Sequence, residues 1–215
     1  MKKLILFDLD GTLVDTLDDL RKAVNFALTK YSFPLKSREE IRKAIGNGTI
    51  KLIERSAPEG TSEEVLKELH KTFKEFYLSN IGEGTHPYNG ITSLLIALKT
   101  KGYKIGVVSN KDHEPTTRII NDMFPGLFDF VQGSYMDQPK KPDPYLFDKL
   151  ISESKFKKEE ITYIGDTNVD EESAINSNLD YVLVSYGYRT QNELYKQVKT
   201  RNIINSVKEI DSIFK

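Results

Sequence analysis

The sequence predicts an α/β protein with a doubly wound parallel sheet and an all-helical block inserted after the first strand. Short apolar runs rich in β-branched and aromatic residues, typical of buried strands, alternate with longer segments of helical periodicity. Residues 17–80, by contrast, carry helical signals only. Alternation of strands and helices favours a parallel sheet, and the long helical block interrupts that alternation.

Four strands and four helices are predicted outside the helical block. The strands are residues 4–7, 103–108, 161–164 and 181–184. The helices are residues 91–101, 115–124, 145–152 and 169–177, and Gly102 is a C-terminal stop for the first of them.

The block itself is predicted to contain several amphipathic helices. Ser37 with Glu40 forms a capping box for its second helix, another helix is expected at 49–56, and Thr61 with Glu64 is a second capping box before a long helix. One face of its first helix is apolar and consists of Leu17, Leu20, Val24, Leu28 and Tyr31. We expect a core of residues 1–16 and 83–215 and a helical domain of residues 17–82. The helices could also form the cover layer of a single domain.

Composition limits the classes of partner. The 31 Lys and Arg residues nearly balance the 32 Asp and Glu residues, which leaves a net charge of -1 and no basic excess for nucleic acid or anionic membranes. The chain has no cysteine, so a metal must be held by oxygen or histidine. No stretch approaches the ~20 apolar residues of a membrane span. We expect a cytoplasmic protein, a monomer or weak homodimer, that acts on a small molecule.

The first predicted strand runs directly into Asp8-Leu-Asp-Gly-Thr. Strand alternation directs the carboxylates of Asp8 and Asp10 to one side, at the carboxyl end where α/β sheets bind ligands. Two acids at this place suit Mg²⁺, which prefers carboxylate oxygens, water and phosphate. Gly11 allows the backbone to turn and approach a phosphate, although an ordinary turn would also explain this motif alone.

Three later segments carry matching chemistry. Ser109 and Asn110 follow the second strand, and their hydroxyl and amide could donate to a phosphate. Lys141 lies in the proline-stiffened Lys-Lys-Pro-Asp-Pro segment and could hold an ammonium in a fixed direction. Asp166 lies just after the strand at 161–164, and Asp170 follows four residues later, one helical turn on. Both acids could therefore face one cation. Turns, caps and helix-terminal charge explain each segment taken alone.

Together these motifs resemble the haloacid dehalogenase-like hydrolase superfamily, specifically its phosphoglycolate phosphatase-like branch. The resemblance covers almost the whole chain. Its motifs, in chain order, are Asp8-Leu-Asp-Gly-Thr, the helical block, Pro87-Tyr-Asn-Gly, Ser109-Asn-Lys, Lys141-Pro-Asp-Pro and Gly165-Asp-Thr with Asp170. The resemblance implies a Rossmann-like core with a small helical cap inserted after the first motif.

The resemblance also implies roles for the acids. Asp8 would be the nucleophile that forms an aspartyl-phosphate, and Asp10 would protonate the leaving alkoxide and then deprotonate the attacking water. Mg²⁺ would be held by Asp8, the Asp10 backbone carbonyl and Asp166, with Asp170 in direct or water-mediated support.

For the phosphoryl group, the resemblance implies that Ser109 and Lys141 hold its oxygens, assisted by Asn110 and the Gly11 amide. The implied activity is hydrolysis of a small phosphorylated metabolite. Phosphoglycolate, sugar phosphates, nucleotides and pyrophosphate all fit the core motifs. The cap loop Gly46-Asn47-Gly48 lies where relatives select substrate, and a plain interhelical turn explains it equally well.

A sugar-phosphate mutase of the β-phosphoglucomutase type is the alternative, because it would share the core residues and differ in keeping water from the intermediate. A halide-removing relative is disfavoured because such enzymes lack the second acid, which is present here as Asp10. Receiver-type signalling domains also pair an acceptor aspartate with Mg²⁺ and a lysine, but they carry neither the Asp-x-Asp-Gly-Thr motif nor a helical insert of this size.

Overall fold

A computed structural model describes residues 2–46 and 48–214; Asn47, part of the predicted substrate-selecting loop, lies outside them. The chain divides into two compact units. One unit is Thr16–His86, and the other joins the segments before and after it; the sequence pattern placed the boundaries after residues 16 and 82. No helix in the described ranges is long and apolar enough to cross a membrane.

Eight strands and ten α-helices are found in the described ranges. The strands are β1 (Leu4–Phe7), β2 (Val14–Asp15), β3 (His86–Pro87), β4 (Lys104–Asp112), β5 (Phe130–Ser134), β6 (Ile161–Gly165), β7 (Asp180–Val184) and β8 (Ile203–Ile204). The helices are α1 (Leu17–Thr29), α2 (Arg38–Ala44), α3 (Thr49–Ser56), α4 (Glu63–Asn80), α5 (Ile91–Thr100), α6 (His113–Met123), α7 (Tyr145–Ser154), α8 (Asn168–Asn176), α9 (Gln191–Gln197) and α10 (Val207–Ile213).

Six strands form one parallel sheet in the order β5-β4-β1-β6-β7-β8. If these six strands are numbered 1 to 6 in chain order, their spatial order is 3-2-1-4-5-6. This is the order of a doubly wound, Rossmann-like fold, and it confirms the predicted fold class. The order reverses between β1 and β6, and such a reversal opens a crevice at the carboxyl ends of the two strands. The two short strands β2 and β3 pair separately.

The central strand β1 is completely buried, and all four of its residues are apolar. It pairs with β4 on one side and β6 on the other, with Phe7 opposite Val107 and Ile164. A strand covered on both faces needs a continuous apolar run rather than an alternating one. This need explains why β1 was recognisable from the sequence.

The regular secondary structure of the unit Thr16–His86 consists of helices, apart from its last residue, which belongs to β3. Helix α1 packs along α4, and α2 begins at the predicted capping box of Ser37 and Glu40. The second predicted capping box is wrong. Ser62 is the N-cap of α4 and accepts from the amide of Val65, whereas the Thr61 hydroxyl donates to the Pro58 carbonyl at 2.6 Å.

Several elements differ from those predicted. Strand β4 continues through Ser109 and Asn110 to Asp112, with a register shift against β5 after Val108, so these residues lie in an irregular strand rather than a loop. Helix α1 ends at Thr29, and Tyr31 beyond it is exposed. Strands β2, β3, β5 and β8 and helices α9 and α10 were not predicted. Strand β5 was not recognised in the sequence because its Gln-Gly-Ser ending lacks an apolar pattern.

Candidate active site

The candidate active site lies at the carboxyl ends of β1 and β6, where the sheet order reverses. Leu6 is opposite Tyr163, and the Asp8 amide donates to the Ile164 carbonyl at 2.8 Å, so the chain stays paired as it leaves β1. Because alternate residues of a strand share a face, Asp8 lies on the same face as Leu6. The register therefore brings Asp8 beside the end of β6, where Asp166 follows.

Three carboxylates from two regions of the chain meet there. One oxygen each from Asp8, Asp166 and Asp170 lies within 4.8 Å of the others. All three residues are buried, and Asp166 is completely inaccessible. Gly11 and Gly165 make this possible, because a Cβ on Gly11 would collide with the Asp166 carboxylate and one on Gly165 would collide with Asp170. The predicted convergence of residues 8 and 166 is thus present in the structure.

A buried lysine lies among these acids. The Lys141 ammonium donates to Asp8 Oδ1, to Asp170 Oδ1 and to the Tyr163 hydroxyl, each at 2.8 Å. The neighbouring Lys140 is 3.7 Å from Asp112 instead. The geometry therefore brings Lys141, and not Lys140, to the predicted nucleophile.

The pKa values follow from burial and from this lysine. Burial raises the pKa of Asp8 to about 7, although the Lys141 ammonium opposes the shift. Burial also raises the pKa of Asp166, together with the nearby charges of Asp170 and Asp8. For Asp170 burial is outweighed by Lys141, which lowers its pKa. The two carboxylates together raise the pKa of Lys141 above its usual value despite burial.

The donor set fits a divalent cation. With Asp8, Asp166 and Asp170 ionised, a single Lys141 charge leaves two negative charges uncompensated in a buried site, at a substantial desolvation cost. All the converging groups are carboxylate oxygens, which hard cations such as Mg²⁺ prefer. A dication would balance the charge.

Two loops hold the Asp166 carboxylate. The Thr12 hydroxyl donates to Oδ1 and the Tyr188 amide donates to Oδ2, each at 3.2 Å. The segment that carries Tyr188 follows β7 and approaches the first motif so closely that a Cβ on Gly187 would overlap the Gly11 carbonyl oxygen. The Tyr186 hydroxyl donates to the Thr12 carbonyl at 3.0 Å. Asp166 is therefore oriented from two sides.

Asp10 lies apart from the three-acid group. Its two carboxylate oxygens are each 3.1 Å from the Lys111 ammonium, and the Lys111 side chain is only 7% exposed. An ion pair this buried fixes the direction of the Asp10 carboxylate more firmly than a surface pair would.

The remaining predicted phosphate-binding residues have protein partners. The Ser109 hydroxyl is buried and accepts from the Lys111 amide at 3.2 Å, which leaves its own proton available to an oxygen ligand. The Asn110 side chain makes two hydrogen bonds with the Lys141 backbone: it accepts from the amide at 2.7 Å and donates to the carbonyl at 3.0 Å. The Gly11 amide donates to the Val14 carbonyl at 2.9 Å. Ser109 thus remains the best placed of the three for a phosphoryl oxygen.

No role was assigned from the sequence to four residues of this site: Lys111, which was named only as part of the Ser109-Asn-Lys motif, Tyr163, Gly187 and Tyr188. Lys111 was visible in principle, because it directly follows the Ser-Asn pair at a strand end. A glycine between two tyrosines directly after β7 was the available signal for the loop of Gly187 and Tyr188. For Tyr163 the only signal was an aromatic residue in a predicted buried strand.

Comparison with known proteins is consistent with this geometry. The family model described as haloacid dehalogenase-like hydrolase matches residues 5–184. A phosphoglycolate phosphatase of Nitrosococcus oceani is 30% identical over 219 residues, covering 98% of this chain and 96% of that protein. A phosphoglycolate phosphatase of Aquifex aeolicus is 33% identical over 187 residues and covers 86% of each chain.

Solved structures share the fold over its whole length. A protein of Lactobacillus delbrueckii subsp. bulgaricus, provisionally named a phosphoglycolate phosphatase, superposes with a TM-score of 0.92 at 28% identity, covering 99% of this chain and 98% of that one. A protein of Haemophilus somnus with a similar provisional name gives 0.89 at 28% identity, covering 100% and 98%.

The contact of Gly187 with the first motif predicts a stability effect. Gly187→Ala would push the loop away from the Gly11 carbonyl and remove the Tyr188 bond to Asp166, so we expect a loss of roughly 1–3 kcal/mol in the free energy of unfolding. Denaturant titration measures it. Gly126→Ala is the control, because its Cβ meets nothing within 4 Å and only its positive φ adds strain. A loss no larger than the control's would contradict the close contact.

Proposed function

Because the chain belongs to the haloacid dehalogenase-like hydrolases, we propose that it is a Mg²⁺-dependent phosphatase working through an aspartyl-phosphate on Asp8. Its reaction class is hydrolysis of phosphoric monoesters, on a small phosphorylated substrate. The phosphoglycolate phosphatases among its relatives make phosphoglycolate, or a metabolite of similar size and charge, the substrate that we propose.

One observation carries the mechanistic part of the proposal. A buried carboxylate that follows the central strand, Asp8, is held by the ammonium of Lys141 and lies beside two further buried acids. A purely structural role would not explain it, since burying three carboxylates around one lysine is costly unless a cation joins them. Asp8, the Asp10 carbonyl and Asp166 would hold Mg²⁺, with support from Asp170.

In the first half-reaction an Asp8 oxygen attacks phosphorus and the bond from phosphorus to the ester oxygen breaks. Bound Mg²⁺ would lower the repulsion between the anionic nucleophile and the phosphoryl group and balance charge on its oxygens. Lys141 holds Asp8 Oδ1 and thereby orients the carboxylate. The Ser109 hydroxyl donates a hydrogen bond to a phosphoryl oxygen. Asp10 supplies the proton for the departing alkoxide.

In the second half-reaction Asp10, now a carboxylate, takes a proton from water. The resulting hydroxide attacks phosphorus, and the bond between phosphorus and the Asp8 oxygen breaks to release phosphate. Lys111 bonds both Asp10 oxygens at 3.1 Å and so holds the Asp10 carboxyl group in a fixed direction for this step. A screen of phosphorylated metabolites, phosphoglycolate included, tests the substrate assignment and separates hydrolysis from isomerisation.

Metal removal tests the cofactor. We expect hydrolysis of p-nitrophenyl phosphate with Mg²⁺ and none in excess chelator, because the acids otherwise repel the phosphoryl group. Mg²⁺ should also raise the midpoint of thermal unfolding, since an ion bound only by the folded state stabilises it. Equal turnover with chelator, together with an unchanged midpoint, would remove the metal from the proposal.

Substitution of the nucleophile tests Asp8. Asp8→Asn should abolish turnover and phosphoenzyme formation, because an amide is not a nucleophile, while circular dichroism stays that of the wild type. Asp180→Asn is the matched control, since Asp180 is exposed and pairs only with Lys2 among the ion pairs of the described residues. Residual activity of Asp8→Asn above a few per cent of wild type would assign the nucleophile elsewhere.

The proton-transfer role predicts a different signature for Asp10. Asp10→Asn should reduce kcat by roughly 10²- to 10⁴-fold, the range typical of a lost general acid–base group. Rapid-quench kinetics should show both phosphoenzyme formation and its hydrolysis slowed. The surface variant Asp122→Asn, whose carboxylate pairs with Arg118 on α6, should retain wild-type rates. If the rates of Asp10→Asn match the control's, another group moves the proton.

A further inference from the structure

The Lys141 ammonium has one protein acceptor for each of its protons. A lysine carries three N–H donors and no acceptor. Its acceptors here are Asp8 Oδ1, Asp170 Oδ1 and the Tyr163 hydroxyl, all at 2.8 Å. An ammonium with three fixed partners cannot rotate freely, and it can reach a substrate oxygen only by giving up one of them.

The same lysine is also fixed at its backbone. Asn110 bonds both the amide and the carbonyl of Lys141, at 2.7 and 3.0 Å. Both ends of the side chain are therefore held, the Cα end by Asn110 and the charged end by the three acceptors. This degree of restraint is unusual for a side chain with four rotatable bonds, because immobilising it costs about 2 kcal/mol of entropy.

Tyr163 is the acceptor that the chemistry of phosphoryl transfer does not itself require. Its hydroxyl accepts from Lys141 and donates to Asp170 Oδ1 at 2.7 Å, closing a triangle of hydrogen bonds with those two residues. A phenolic hydroxyl is both a donor and an acceptor, so this one group can serve both bonds.

Packing alone does not explain why this residue is a tyrosine. The Tyr163 ring is completely buried and meets Phe147 edge to face at 4.8 Å between centroids. A phenylalanine would make the same ring contact without burying a hydroxyl, and a buried hydroxyl costs free energy unless it is bonded. The bonds that this hydroxyl makes at 2.8 Å or less are to Lys141 and Asp170.

We propose that Tyr163 is a positioning residue that fixes the direction of the Lys141 ammonium at Asp8 before the nucleophile attacks. This inference rests on the proposed function. With one proton on Tyr163, Lys141 stays directed at Asp8 Oδ1 as the substrate approaches.

Tyr163→Phe tests the proposal, because it removes one oxygen atom and keeps the ring. We expect the single-turnover rate of Asp8 phosphorylation to fall about tenfold, because the Lys141 ammonium loses one of its three acceptors and can then adopt several orientations. KM for p-nitrophenyl phosphate should change less than twofold, since the Tyr163 hydroxyl acts on Lys141 and not on the substrate. A Tyr163 hydroxyl that bound the substrate would instead raise KM when it is removed.

Tyr181→Phe is the matched control. Tyr181 lies on β7, the strand beside β6, and its hydroxyl donates to the Glu171 carboxylate of α8 at 3.0 Å. The control should keep the wild-type phosphorylation rate, and thermal unfolding should show whether the two variants lose comparable stability. A phosphorylation rate of Tyr163→Phe equal to that of the control overturns the proposal.

Nitrogen NMR of the lysine ammonium groups gives a readout that does not depend on turnover. Held by three acceptors, the Lys141 ammonium should give a slowly exchanging signal in the wild type and in Tyr181→Phe, and this signal should broaden or disappear in Tyr163→Phe. An unchanged signal overturns the proposal even if activity falls. A wild-type protein that shows the signal but no phosphatase activity refutes the proposed function instead, and with it the catalytic purpose of the restraint.

A double-mutant cycle with Asp170 separates positioning from general damage. If Tyr163 acts through the triangle with Asp170, the double variant Tyr163→Phe/Asp170→Asn should be no slower than Asp170→Asn alone. Independent effects would multiply, giving a further loss of about tenfold, and would overturn the proposal.

Discussion

The balance of charge around the Lys141 ammonium is the interaction on which the rest of the site depends. Three buried carboxylates come within 4.8 Å of one another. Asp8 follows β1, whereas Asp166 and Asp170 follow β6, far later in the chain. Such a group of acids is costly to bury, and each must find a counter-charge or a donor. Lys141 supplies the charge for Asp8 and Asp170, while Thr12 and Tyr188 supply donors for Asp166. The segments that carry Thr12, Lys141 and Tyr188 all take part in this compensation.

The sheet explains how such a group assembles. Its strand order places β1 beside β6, and the pairing of Phe7 with Ile164 fixes the height at which Asp8 and Asp166 leave the sheet. A slip of one residue would turn the side chains to the opposite face. The apolar run of β1 ends directly before Asp8, so a slip into the sheet would also move a carboxylate to a position that an apolar residue fills. Packing of the core therefore sets the geometry of the chemistry.

The sequence indicated those parts of the site that depend on local signals. Asp8 and Asp166 follow continuous apolar runs, so their position at strand ends was readable, and the prolines after Lys141 marked a stiff segment. The capping preference of Ser62 over Thr61 was not readable, because both residues are good caps and the choice depends on how the chain enters α4.

Long-range contacts escaped prediction for a different reason. Tyr163 hydrogen-bonds Lys141, 22 residues away, and Lys111 bonds Asp10, 101 residues away. Gly187 approaches Gly11 only because β7 lies two strands from β1 in the folded sheet. The approach of Asp8 to Asp166 could be predicted because each follows a recognisable strand, whereas no local pattern indicated these three contacts. The fold class was predictable because alternation is local, and the fine structure of the site was not.

The central position of β1 also has a consequence for synthesis of the chain. Leu4–Phe7 leaves the ribosome well before its partners, because β4 begins only at Lys104 and β6 only at Ile161. Pairing at such sequence separation is slow, and an unpaired apolar strand is prone to aggregate. The nascent chain must therefore carry this segment unpaired until β4 has been synthesised, which makes it a natural place for a chaperone to bind.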